Sequence, residues 1–266
     1  MERLFDSHAH YFDGWFWDEA DKILAEGVFG ANVGKVINVG TNNQNNLVCL
    51  TQARGYEGMY VALGIHPEDC QYCTGTPEEE IAELERIILD EKARGVASKV
   101  VAIGEIGFDF HLEDTDREKQ ARYFELQMQL AEKLSMPVVI HDREAHGPCF
   151  EMALAHPSVT GVFHSFSGSA EMARELVKRG WYISFSGVLT FKNAARVREV
   201  AASVPLDRLL IETDAPYLAP HPFRGKRNHS GLIEYTAQTL AEVKGITPDE
   251  AARITYENAE KLFLGK

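Results

Sequence analysis

Cysteine is scarce: four in 266 residues, Cys49, Cys70, Cys73 and Cys149. That density excludes a disulfide scaffold and suits a reducing compartment, so a cytoplasmic location is expected and the Asn228-His229-Ser230 sequon carries no meaning. No apolar run behind a basic start marks an export signal, and nothing suggests a membrane segment. Low-complexity tracts, long Pro/Gly linkers and residue-level repeats are missing as well, which leaves a single domain over 1–266 as the expectation. Positive charge is in deficit, with 27 Lys and Arg against 40 Asp and Glu and a formal net charge of −13. That balance argues against a protein that coats nucleic acid through a broad basic face, and any attraction to a polyanion must be local. Carboxylates beside cations would make the formal charge overstate the field at such a site.

What is present is a regular alternation. Short β-rich segments fall at 4–10, 35–39, 59–66, 99–108, 137–141, 161–166, 181–186 and 209–213, eight in all, separated by amphipathic stretches. In 77–94, for instance, Ile81, Leu84, Ile87 and Ile88 share one helical face. Thr76-Pro77-Glu78-Glu79, Thr115-Asp116-Arg117-Glu118 and Thr247-Pro248-Asp249-Glu250 each read as a Thr N-cap with a Glu in the first turn. Strands such as VVAIG and PVVI are almost continuously apolar, as in a parallel sheet covered on both faces. The pattern fits an α/β fold, either a (β/α)8 barrel or an open doubly wound sheet.

The polar residues separate the two. His8, His10, His66, Glu105, His141, His164 and Asp214 fall at the carboxyl ends of apolar strands, where packing alone would place small or apolar side chains. In a barrel those ends converge on one mouth. Singly, each has a structural explanation: a hydrogen-bonded His, a capping acid, an Asp in a turn before Pro216. Together they would bury acids and imidazoles at prohibitive cost unless cations compensate. The donors exceed the needs of one tetrahedral ion, so two divalent ions are expected, Mg²⁺, Mn²⁺ or Zn²⁺. One is assigned to His8, His10, Glu105 and Asp214, the other to Glu105, His141 and His164, with Glu105 as bridge. Asp214 is the candidate general base, and Glu212 supports it or orients a ligand.

Arg143, Arg224, Lys226 and Arg227 offer donors suited to phosphate, although RGKR also reads as a solvated turn. His66 is either a donor to substrate or a satisfied structural residue. Tyr11, Phe12, Trp15, Trp17 and Tyr217 could stack unpaired bases or pack a loop. Cys70-Gln71-Tyr72-Cys73 has no second pair to complete a metal site and reads as two thiols.

The motifs HAH at 8–10, GIHP at 64–67, GEIGFD at 104–109, VVIHDR at 138–143, HSFSG at 164–168, IETDAPYLAP at 211–220, RGKRN at 224–228 and ENAEKLF at 257–263 resemble the TatD family of metal-dependent deoxyribonucleases. The likeness spans essentially the whole chain. It implies a (β/α)8 barrel, dependence on divalent metal and hydrolysis of DNA phosphodiester bonds, often as an exonuclease; with the two-metal site expected at the strand carboxyl ends, the expected substrate is DNA as single strands or strand ends. The family's metal ligands fall on the same six positions, and His66 and Arg143 match positions associated with substrate phosphate. Ala9 and Ser165 stand where the family commonly has Cys, and neither change removes a donor. His229 and Ser230 stand where it usually has Glu and Pro, which would alter substrate choice or loosen the loop. The rival expectation is an amide, lactone or ester hydrolase on the same kind of barrel.

Overall fold

The computed structural model describes residues 3–266, apart from the side chain of Trp17. Eight parallel strands follow one another in chain order in a single sheet: β1 (Leu4–Ala9), β2 (Val33–Val39), β3 (Met59–Leu63), β4 (Val100–Asp109), β5 (Val138–Arg143), β6 (Gly161–Phe163), β7 (Tyr182–Phe185) and β8 (Leu209–Ile211). The helices are α1 (Ala20–Lys22), continued by a π-helical stretch over Ile23–Phe29, then α2 (Asn43–Arg54), α3 (Pro77–Lys92), α4 (Arg117–Leu134), α5 (His146–Ala155), α6 (Ala170–Lys178), α7 (Ala195–Ser203), α8 (Ile233–Lys244) and α9 (Pro248–Leu264). The first and last strands also meet: Ala9 bridges Ala215, and the N–H groups of Asp214 and His10 donate to the carbonyls of His8 and Ala215. An open doubly wound sheet has neither sequential order nor this closure, so the chain has the (β/α)8 class. All eight predicted strands are present.

The chain gathers into two compact units, one running to Asn38 and resuming over His164–Lys266, the other Val39–Phe163. In the first, β1 pairs with β2 and β7 with β8. Phe5 is buried against α9, its ring edge-on to Tyr256 at 5.6 Å and 6.3 Å from Phe263. The regular register of β1 breaks between Asp6 and Ala9, an irregularity of the kind that re-aims side chains next to sites, and His8 lies within it.

In the second unit β3, β4, β5 and β6 pair in succession. Two glycines make close approach feasible there. A Cβ on Gly64 would stand 2.6 Å from the Gly104 carbonyl carbon, and Gly107 has φ +146° with a Cβ position 2.0 Å from the His141 carbonyl oxygen. Only glycine tolerates either arrangement. Seven residues apart on α4, Gln120 and Gln127 are fully buried. Gln127 exchanges hydrogen bonds with both backbone groups of Ile65, and Gln120 accepts from the Asp109 N–H while donating to the carbonyls of Asp109 and Pro67. The buried face of α4 thereby fixes the chain on both sides of His66 and at Asp109.

The capping boxes at Thr76/Glu79 and Thr247/Glu250 form as the sequence predicts. The third start is corrected by one residue: Asp116, not Thr115, caps α4 and accepts from the Lys119 N–H. Thr115 is otherwise engaged, its hydroxyl donating to the Leu112 carbonyl. A carboxylate is also the stronger acceptor at a helix N-terminus. Among the described residues, no helix is long and apolar enough to cross a membrane.

Candidate functional site

In the first unit the ends of β1 and β8 bring His8, His10 and Asp214 together. The Nε2 atoms of the two imidazoles are 3.0 Å apart, and Asp214 Oδ1 lies 3.7 Å from the first and 3.4 Å from the second. A tetrahedral ion with nitrogen and oxygen ligands at about 2.0–2.1 Å separates its donors by about 3.3 Å, so the three atoms fit the edges of such a shell. His164, at the end of β6, stacks on His8 with centroids 4.0 Å apart and 14° between planes, and it groups with His8 and Asp214 as potential ligands. His8 is fully buried, and the Asp214 side chain is 14% exposed. Burial alone would raise the Asp214 pKa, but the hydrogen bond from His10 and the nearby His164 and His8 outweigh it and hold the carboxyl below its usual range.

Behind these residues stand two carboxylates. Glu212, fully buried, accepts from His164 Nδ1 at 3.1 Å and from the Ser165 N–H at 2.8 Å, while its Oε2 has no hydrogen-bond partner among the described residues. A buried carboxylate with a bare oxygen suits a place beside a cation. A carboxylate that holds one imidazole nitrogen fixes the tautomer and aims the other nitrogen outward. The left-handed φ of Ser165 (+38°) and Asp214 (+57°) is the backbone conformation that turns both segments at this point, and such strain concentrates at sites. Asp6, two residues before His8, is fully buried and accepts from the N–H of His8, the N–H and hydroxyl of Thr213, and Ser230. Its burial outweighs these bonds and pushes the carboxyl up to about 7.

In the second unit the donors are His66, Glu105 and His141, which also group as potential ligands. Glu105 Oε1 lies 2.7 Å from His141 Nδ1 and 3.7 Å from His66 Nε2. The other nitrogen of His141 is held by Asp109 Oδ2 at 3.0 Å, the relation that Glu212 has to His164. Burial would raise the Asp109 pKa, but His141, the His111 N–H and Arg143 outweigh it and keep the carboxyl low. His66 Nδ1 accepts from the Glu68 N–H at 3.1 Å, so a neutral ring carries its proton on Nε2 as a donor. Strands β4 and β5 run further than predicted, to Asp109 and Arg143, because Phe108 pairs with Asp142 and Asp109 with Arg143.

The outlying residues divide. Arg143 is half exposed, with Nη1 3.8 Å from Asp109. Arg224 and Lys226 are exposed, the Arg224 guanidinium 4.5 Å above Phe191. Arg227 is occupied: it pairs with Glu19 at 2.7 Å and donates to the Trp15 carbonyl. Tyr11 is buried and stacks on Phe16 at 4.8 Å, as packing requires. Phe12 meets His10 edge-on at 5.7 Å. Trp15 and Tyr217 are exposed side by side, and the Trp17 side chain lies outside the described residues. His229 caps a short helical turn and accepts from the Gly231 N–H, while buried Ser230 bonds Tyr11 through its N–H and hydroxyl. Asn228 ties the same loop to the carbonyls of Thr213 and Tyr217. Cys70 and Cys73 are free thiols, each paired with a backbone carbonyl.

Asp6 and Asp109 were missed from sequence. The available signal was period: each lies an even number of residues from a candidate ligand on its own strand, Asp6 from His8 and Asp109 from Glu105, and even spacing shares a strand face.

A family model described as TatD related DNase matches residues 5–264. The chain is 38% identical to the metal-dependent hydrolase YabD of Bacillus subtilis over 98% of each sequence. With the metal-dependent hydrolase YcfH of Escherichia coli it shares 33% identity, over 98% of this chain and 95% of that one. The crystal structure of the TatD homologue YjjV from Escherichia coli K12 superposes with a TM-score of 0.90 at 30% identity, covering 98% of both chains. With its barrel class and its His and carboxylate clusters, the chain belongs to the TatD family of metal-dependent hydrolases.

Proposed function

We propose that this protein is a divalent-metal-dependent deoxyribonuclease that hydrolyses phosphodiester bonds in single-stranded DNA or at strand ends, acting as an exonuclease in the cytoplasm. The observation that carries the reading is the pair of buried donor sets, each with an imidazole held from behind by a carboxylate: His164 by Glu212, and His141 by Asp109. His8, His10 and Asp214, with His164 beside them, are the proposed ligands of one ion, and Glu105 and His141 those of a second, Mg²⁺, Mn²⁺ or Zn²⁺ in each case. Divalent ions bound there lower the pKa of water and offset charge on a phosphodiester.

The chain's own groups supply the rest. Asp214, kept ionised by its histidine neighbours, accepts the proton of the attacking water. Glu212 positions His164, and the proton on His66 Nε2 is directed to a phosphate oxygen or the leaving group. Arg143, Arg224 and Lys226 offer cationic contacts to the polyanion, which answers the net charge of −13 locally. Arg227 belongs to the same proposed surface, and its Glu19 pair would have to open for it to reach phosphate.

The test uses metal-stripped protein with end-labelled single-stranded and duplex DNA, each cation added back in turn, beside Glu105→Ala and Asp214→Ala. Metal-dependent shortening from one end, absent in both variants, is expected. Metal-dependent cleavage of a lactone or amide with no turnover of DNA would replace this reading by the carbonyl one.

A further inference from the structure

We infer that Trp15 and Tyr217 form a stacking platform for one unpaired nucleobase, next to the His10/Asp214 cluster. The inference rests on the nuclease reading and adds to it what the site recognises beside the phosphate.

Both rings are large and exposed, Trp15 by 53% and Tyr217 by 46%, and their centroids are 6.0 Å apart at 33°. The two rings stand together in solvent, a contiguous apolar surface rather than singly scattered side chains. Their place is equally specific. The Tyr217 N–H donates to the Asp214 carbonyl at 2.8 Å, and its ring meets the His10 imidazole at 6.4 Å and 62°. A base on this surface therefore lies beside the groups proposed to act on its own phosphate.

The platform is also fixed before anything binds. One carboxylate serves both residues: Asp13 accepts the Tyr217 hydroxyl at 2.6 Å and the Trp15 N–H at 2.7 Å. Arg227 donates to the Trp15 carbonyl and Asn228 to that of Tyr217. Rigid aromatic groups lose little freedom on binding. Exposed Arg224 and Lys226, in the loop that follows Tyr217, supply charge complementary to a phosphate-linked ligand rather than to a neutral apolar one. Every base has a π-face, so a platform of this kind selects a free base over none, with little preference among the four. A paired base must leave its duplex to reach it, which favours single-stranded ends.

The Mn²⁺-loaded protein is tested on a single-stranded oligonucleotide and on the same strand with an abasic terminal residue. In Trp15→Ala and Tyr217→Ala the preference in kcat/KM for the base-bearing end falls by about 5- to 150-fold, the equivalent of one lost stack, mainly through KM. Trp15→Phe and Tyr217→Phe, which keep a ring, restore most of it. Equal losses on both substrates, or none, overturn the platform while leaving the nuclease reading intact. Should the wild type cleave neither strand, the nuclease reading fails on its own. Quenching of tryptophan fluorescence by dAMP, against deoxyribose 5-phosphate as the base-free control and Trp15→Phe as the signal control, then decides the platform by itself: no quenching by dAMP overturns it.

Discussion

Glu212→Gln separates a positioning role from a packing role. The substitution keeps shape and keeps an oxygen that can accept from His164 Nδ1 and the Ser165 N–H. What changes is the charge, and at the Oε2 position an NH2 replaces an oxygen that has no hydrogen-bond partner among the described residues. In metal-free protein the consequences oppose each other. An unpaired buried amide donor costs about 1–3 kcal/mol, while removing a fully buried carboxylate relieves that group's own desolvation cost. Stability without metal therefore changes by less than the larger of the two effects. In the metal-bound state nothing offsets the loss, because a neutral amide neither raises the basicity of His164 nor balances the cation. Removing such a partner lowers metal affinity by about 10- to 100-fold, or about 1.4–2.7 kcal/mol at 1.36 per decade. Chelator competition with Zn²⁺ and Mn²⁺ measures the affinity, and urea denaturation in EDTA measures the stability. Wild-type affinity in a variant whose EDTA stability has dropped would refute the reasoning and leave Glu212 a packing residue.

Three other outcomes are expected. Adding Zn²⁺ to stripped protein raises Tm, by the equivalent of about 2.7 kcal/mol at 100 times Kd, and a scan of His8→Ala shows a much smaller rise. Gly107→Ala, forced to keep φ +146° against the His141 carbonyl, loses at least about 1–3 kcal/mol in chemical denaturation and binds metal more weakly, because the β4 and β5 ends shift. For Lys35 and Glu260, burial would lower the lysine, but its bonds to Glu260 and Tyr256 outweigh that and raise it, while Lys35 holds Glu260 below its usual 4.5. The carboxylate's contribution is thus full above about pH 4.5 and is lost as pH falls through the lowered value, whereas the lysine's is lost only in strong base. Glu260→Gln should flatten the acid limb of a Tm-against-pH curve, and an unchanged limb would assign the acid loss elsewhere.

The parts of the molecule that were legible in sequence are those set by local rules. Eight short β-rich segments marked the strands, several of them almost continuously apolar, as a parallel strand buried on both faces is. Two of the three Thr-led helix starts held because a capping box needs only four consecutive residues. The third failed at Thr115, whose hydroxyl donates to the Leu112 carbonyl, while the next residue, Asp116, caps the helix one position later through the Lys119 N–H.

What stands behind and around the donors was decided by tertiary contact. The Nδ1 of His164 meets a carboxylate 48 residues away, and His141 meets one 32 residues away. Tyr217 and Asp13 bond across 204 positions to set the aromatic pair, and Arg227 is claimed by Glu19 and the Trp15 backbone. Strand period can place Asp109 on the face of Glu105, but no spacing names the partner it meets, because that depends on which strand ends and loops the packed helices bring within a hydrogen bond's reach. The sequence by itself therefore determined which residues could bind a cation and that the fold would be a (β/α)8 barrel. Only the folded chain decided which of them are held in place, by which partner, and which charges and rings are left facing solvent.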